Sequence, residues 1–153
     1  MPTWADSFRE LKRFLDRHDP RRRFKLRGEL ADRLNELRRR FEEDFITQEF
    51  AEELRVAGEW RARLLEAQDR VVRAYELDGV MHSREFDSFI EDGLMHCRRK
   101  LFLKVHDLMR GRLSLDAFER WARQALTTCF RTNMRTLYQT WGFFSILGLI
   151  AEM

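Results

Sequence analysis

The chain has 153 residues, 36% of them charged and 44% hydrophobic, with seven Gly and two Pro. A chain of this length can bury a core without disulfide or metal staples, and its composition excludes both a disordered chain and an all-β fold punctuated by Gly and Pro. The formal net charge of +3 is too small to point to nucleic acid by itself, so the distribution of charge must carry that argument.

Trp4, Phe8, Leu11 and Leu15 recur at helical spacing behind Thr3. Threonine is a good N-cap, and Asp19-Pro20 stops the run because proline disfavours helix in the residue before it. A basic linker over 19–23 follows, inside a stretch (19–27) that holds five basic side chains and one acidic one. Leu26, Leu30, Leu34, Leu37, Phe41 and Phe45 then step by four, four, three, four and four, which predicts a second helix with a buried heptad-like seam.

Thr47 is expected to cap a third helix, with Phe50, Leu54, Ala57, Leu64 and Val71 on its apolar face and Asp78-Gly79 as its stop. Ser83 caps a fourth, in which Phe86, Ile90, Leu94, Cys97, Leu101, Val105 and Leu108 keep the same rhythm up to Gly111. Ser114 opens a fifth, expected to run nearly to the C-terminus unless it breaks near Gly142. Short connections between long helices favour antiparallel neighbours. The expected fold is therefore all-α: an up-and-down bundle of four to five helices with a long C-terminal helix. It forms a single domain over 1–153, made of an N-terminal helix (1–18), the linker (19–23), the bundle (24–136) and an apolar end (137–153).

Charge is unevenly spread. Residues 98–135 hold ten basic side chains against three acidic ones, whereas 46–77 hold five against seven. Arg98, Arg99, Lys100 and Lys104 cluster in the fourth helix, while Arg120, Arg123, Arg131 and Arg135 share one face of the fifth, in a stretch without an acidic residue from Arg120 to Ala151. Successive helical turns rise about 5.4 Å, comparable to the phosphate spacing along a strand. These eight residues are the candidate nucleic-acid-binding set; the competing reading of such faces is simple solvation or docking to acidic groups.

From Leu137 to Ala151 there is no charge at all. As a helix this run reaches only about 22 Å, short of the ~30 Å hydrocarbon layer, which argues against a membrane span. Burial in the bundle or against another subunit is expected instead, and the length of the helix favours the subunit, with Trp141, Phe143, Phe144 and Leu147 as candidate partner-binding residues. Thirteen Phe and four Trp are more than one small bundle needs inside.

Cys97 and Cys129 lie in apolar helical patterns with no CxxC and no apolar leader, which points to a cytoplasmic protein with both cysteines as small core residues. His18, His82, His96 and His106 are scattered, with no HExxH or ExxH. They are expected at the surface or as caps, so no metal and no cofactor is assigned. LDGVMHSREF (77–86) resembles the second half of an EF-hand calcium loop, with Gly79 at the turn, Met81 at the apolar position and Glu85 at the closing carboxylate. GRLSLDAF (111–118) resembles a degraded second copy. The resemblance stops at the ligands, since Ala74 stands where an Asp opens the first loop and Ala117 where a Glu closes the second.

Without GxSxG or a phosphate-binding glycine loop, no catalytic residue is assigned. The size, helicity and basic clusters are similar in type to the small helical subunits of RNA-guided effector complexes, a likeness that no residue motif carries. The expected function is a non-enzymatic accessory or scaffold subunit of a larger assembly. It would hold the backbone of single-stranded RNA or DNA, contact other protein subunits rather than a membrane, and leave room for a homo-oligomer. The alternative is a protein-binding helical adaptor whose aromatic C-terminal helix docks into a partner subunit.

Overall fold

The computed structural model describes residues 2–153. Among these it contains no strand and six helices: α1 (Trp4–His18), α2 (Glu29–Glu49), α3 (Ala51–Ala74), α4 (Arg84–Glu91), α5 (Gly93–Met109) and α6 (Leu115–Glu152). Three of the caps expected from the sequence form. Thr3 makes a reciprocal capping box with Asp6, the Ser83 hydroxyl accepts the Phe86 N–H at 3.2 Å, and the Ser114 hydroxyl accepts the Ala117 N–H at 3.1 Å. Each satisfies an N–H that a helix start leaves without an intrahelical partner.

Two of the expected elements change. Thr47 does not cap α3: its hydroxyl donates to the Glu43 carbonyl at 2.8 Å, so α2 continues past it and the chain breaks at Phe50. The expected fourth helix is two helices, because Asp92 adopts an extended backbone (φ −154°, ψ 98°) and its carboxylate accepts the Met95 N–H at 3.0 Å, opening α5. Six helices thus stand where four to five were expected. Gly142 does not interrupt α6, which runs for 38 residues.

The chain divides into two compact units, one formed by the residues up to Ala51 with Cys97–Ala125, the other by Glu52–His96 with Leu126–Met153. In the first, α1 packs on α2 around buried Leu11, Leu15, Leu37, Phe41, Phe45 and Phe118. Phe41 and Phe45 both meet the Phe118 ring, at 5.6 and 5.5 Å between centroids, and Trp4 stands edge-on to Phe45 at 5.1 Å. The seam expected along α2 is buried only from Leu37 onward. Leu30 is exposed and Leu34 half-buried within α2, while Leu26 lies outside it, because Gly28, at φ 61°, delays the helix until Glu29.

The second unit buries Leu64, Val71, Phe86, Phe89, Leu126, Phe130, Leu137 and Phe144. Trp60 makes edge-on contacts with Tyr138 at 4.7 Å and Trp141 at 5.2 Å, and the Tyr75 hydroxyl donates to the Leu147 carbonyl at 2.9 Å. These contacts fix the C-terminal end of α6 inside this unit.

Candidate functional site

Of the expected basic set, the first unit holds Arg98, Arg99, Lys100, Lys104, Arg120 and Arg123. Arg98 is turned inward, within 3.5 Å of Glu42 and 3.9 Å of Glu43. Glu42 is itself only 2% exposed and also pairs with Arg38 at 3.7 Å. Burial raises the Glu42 carboxyl above its ordinary pKa against the opposing pull of Arg38 and Arg98, and burial lowers that of the Arg38 guanidinium. Arg123 is likewise engaged, with Glu49 at 2.6 Å and Glu119 at 2.9 Å; its hydrogen bond to Glu119 is the main cause of its raised pKa. Lys104 is half-buried with its ammonium 5.4 Å from the Trp121 ring centre. Arg99, Lys100 and Arg120 are exposed.

The second unit holds Arg131 and Arg135, one turn apart on α6 and both exposed. Neither they nor Arg120 takes part in an ion pair or side-chain hydrogen bond among the described residues. Five of the eight expected residues therefore sort into two kinds. Arg98 and Arg123 are spent on internal carboxylates, whereas Arg120, Arg131 and Arg135 are uncommitted.

The C-terminal end of α6 also sorts its side chains. Leu137, Trp141, Phe144 and Gly148 step by four, three and four and turn inward: Phe144 is 6% exposed, Gly148 is buried and Trp141 is half-buried. Phe144 thus belongs to the core rather than to a free docking face, and Leu147 is half-buried. Two positions further round, a rotation of about 200° at 3.6 residues per turn, Phe143, Ile146 and Ile150 form the opposite stripe. They are 59%, 60% and 53% exposed, with Leu149 beside them at 60%. Ile146, Leu149 and Ile150 were absent from the sequence-derived set. The signal for them was a second apolar stripe on a helix that already had an inward one.

His96 departs furthest from expectation. It is 4% exposed, not a surface or capping histidine, because the break at Asp92 turns α5 so that its first turn faces α4 within the second unit. Its Nε2 lies 3.4 Å from Glu85 Oε1, its Nδ1 lies 2.9 Å from the Ser88 hydroxyl, and Phe89 covers one edge at 5.8 Å between centroids. Donor atoms of Glu85, His96 and Cys129 all lie within 4.8 Å of one another. The Asn133 amide donates to the Cys129 carbonyl at 2.9 Å and reaches its Sγ at 3.5 Å. Sequence spacing hid this group: eleven residues apart on one continuous helix, Glu85 and His96 would stand about 16 Å apart. Of the other histidines, His18 is exposed, and His82 and His106 are half-buried, His82 bonding Gln68 at 2.8 Å and His106 accepting from Arg110 at 2.8 Å. Both cysteines are buried, as expected.

Among the described residues no helix is long and apolar enough to cross a membrane. Comparison with protein families, with curated proteins and with solved structures finds no match to this chain.

Proposed function

We propose that the protein acts by binding rather than by catalysis, as a helical scaffold subunit that associates with a second copy of itself through the outer face of the end of α6. The observation behind this reading is the set Phe143, Ile146, Leu149 and Ile150, each more than half exposed, in a run without charge. Apolar surface left in water forgoes about 25 cal/mol per Å², and contiguous exposed patches of this kind mark interaction sites. Steps of three and four from Phe143 to Ile146 to Ile150 match a short coiled-coil seam. Two identical uncharged seams are compatible under twofold symmetry, with nothing to repel. No Lys or Arg follows Arg135, so the face lacks the cations with which interfacial helices hold anionic lipid. A seam this short supports weak, concentration-dependent association. Sedimentation velocity across a concentration series tests it. The wild type should shift to a dimer as concentration rises, and the Ile146→Lys/Ile150→Lys variant should stay monomeric with unchanged helicity. A wild type that is monomeric throughout contradicts the reading.

A second reading, that the chain holds a nucleic-acid backbone, is favoured by Arg120, Arg131 and Arg135, exposed arginines without acidic partners. Guanidinium groups free of internal carboxylates are available to phosphate. Replacing the three by Gln should weaken binding of single-stranded RNA or DNA whatever the base sequence. It should also flatten the slope of log K against log salt by about 0.7–0.9 per phosphate contact removed. Unchanged affinity and slope in filter binding would remove this reading and leave self-association standing.

A further inference from the structure

We propose that Glu85, His96 and Cys129 form a zinc site in the second unit, an inference independent of the binding readings above. The three side chains supply a carboxylate oxygen, an imidazole nitrogen and a sulfur, the donor types that zinc takes in protein sites. Donors about 2.0–2.3 Å from a tetrahedral ion stand roughly 3.3–3.8 Å apart. The Glu85 to His96 separation of 3.4 Å already meets this, and the remaining donors, all within 4.8 Å, need to close by at most about 1.5 Å.

The surroundings are arranged as those of a ligand set. When the Ser88 hydroxyl accepts the Nδ1–H at 2.9 Å, the Nε2 lone pair faces Glu85. Such a partner on the far nitrogen fixes tautomer and ring orientation in metal-bound histidines. On the sulfur side, the buried Asn133 amide donates toward Cys129 Sγ at 3.5 Å, which suits a thiolate. Both groups are held by residues that are not themselves ligands, an observation separate from the proximity of the three donors.

His96 and Cys129 approach from the buried side and Glu85, half exposed, from the solvent side. The set therefore supplies three protein ligands with a fourth position open to water. A thiolate beside an imidazole disfavours calcium and magnesium, which take oxygen donors, and selects zinc over them. On binding, the Cys129 thiol gives its proton to solvent and the thiolate sulfur takes the metal, so one proton is released per thiol bound. The ion would tie α4, the first turn of α5 and α6 within the second unit.

The test is titration of metal-free, reduced full-length protein with Zn(II) against a chromophoric chelator, together with Co(II) as a spectroscopic probe. One equivalent of Zn(II) should bind and raise the thermal midpoint, and Co(II) should produce a sulfur-to-metal charge-transfer band. Cys129→Ser should abolish the band, whereas Cys97→Ser, at the other buried cysteine, should keep it. Ser88→Ala should weaken binding by about 10- to 100-fold, the range for loss of an outer partner. Because Cys129→Ser could unfold the chain, Glu85→Gln serves as the second variant. Glu85 is exposed, so the fold should survive while Zn(II) affinity falls more than about tenfold, as expected when a metal ligand is lost rather than an outer partner. Wild-type protein that binds no stoichiometric Zn(II), or folded Glu85→Gln and Cys129→Ser proteins with wild-type affinity, would overturn the proposal.

Discussion

The two units use their polar side chains differently. In the first, charge that enters the interior is answered there, with Glu42 between Arg38 and Arg98, and at the surface Arg123 pairs with Glu49 and Glu119. In the second, Ser88, His96, Cys129 and Asn133 gather at one place with donor atoms directed inward, while the outer end of α6 leaves large apolar side chains in water. Groups already paired with one another stabilise or specify a fold. Imidazole, thiol and carboxylate donors gathered at one point are where an ion can bind, and large apolar side chains left in water are where a partner can gain most.

The sharpest way to break this contrast is to truncate one aromatic in each unit. Phe41, fully buried against Phe8 and Phe118, should cost about 3–5 kcal/mol as Phe41→Ala, the range for a core phenylalanine. Phe143→Ala should stay within about 0.5 kcal/mol, as for a surface site. Urea denaturation at low protein concentration reads both; a costly Phe143→Ala would place that ring in the core rather than on a docking face. Leu34→Ala, at a half-buried position, should fall between them at under about 2 kcal/mol.

A smaller effect tests the buried charge in the first unit. Burial raises the Glu42 pKa above the ordinary 4.5, so the folded state holds that proton more tightly than the unfolded one. Its contribution to stability is then fully present below the unfolded value and is lost as pH rises through the raised folded value. Glutamine does not titrate. The stability of Glu42→Gln relative to wild type should therefore move in favour of the variant as pH is raised across that window. A difference that is flat, or moves the other way, would mean that Arg38 and Arg98 outweigh the desolvation of Glu42.

Much of the helical content was legible because its signals are local. Thr3, Ser83 and Ser114 cap as their positions implied and Asp19-Pro20 ends α1, whereas α3 already stops at Ala74, ahead of Asp78-Gly79, where Glu76 takes φ 52°. Thr47 misled because a hydroxyl that can cap a helix can equally bond back to the carbonyl four residues earlier. Asp92 misled because the apolar rhythm from Phe86 to Leu108 passes through it without a gap, and only the backbone shows that its side chain starts a new helix. That single break decides the Glu85, His96 and Cys129 grouping, which no one-dimensional spacing contains. The basic stripe was legible as a pattern, but whether an arginine is free depends on carboxylates distant in sequence, as Glu49 is from Arg123. The two stripes at the end of α6 were both present in the sequence, and composition alone could not tell the inward from the outward one.

The central claim, that the outer stripe of α6 pairs with its counterpart in a second copy, is tested most directly by a single spin label. Gln139→Cys places the label at an exposed position one turn before Phe143 and leaves the seam side chains in place, and native Cys97 and Cys129 are buried and so protected from the reagent. With seams paired, the two helix backbones lie about 8–10 Å apart, and pulsed dipolar spectroscopy should show one short intermolecular distance that grows in amplitude with concentration and disappears in the presence of Ile146→Lys. Labelled protein at high concentration with no intermolecular dipolar signal, or with the same signal in the Ile146→Lys background, would contradict the account.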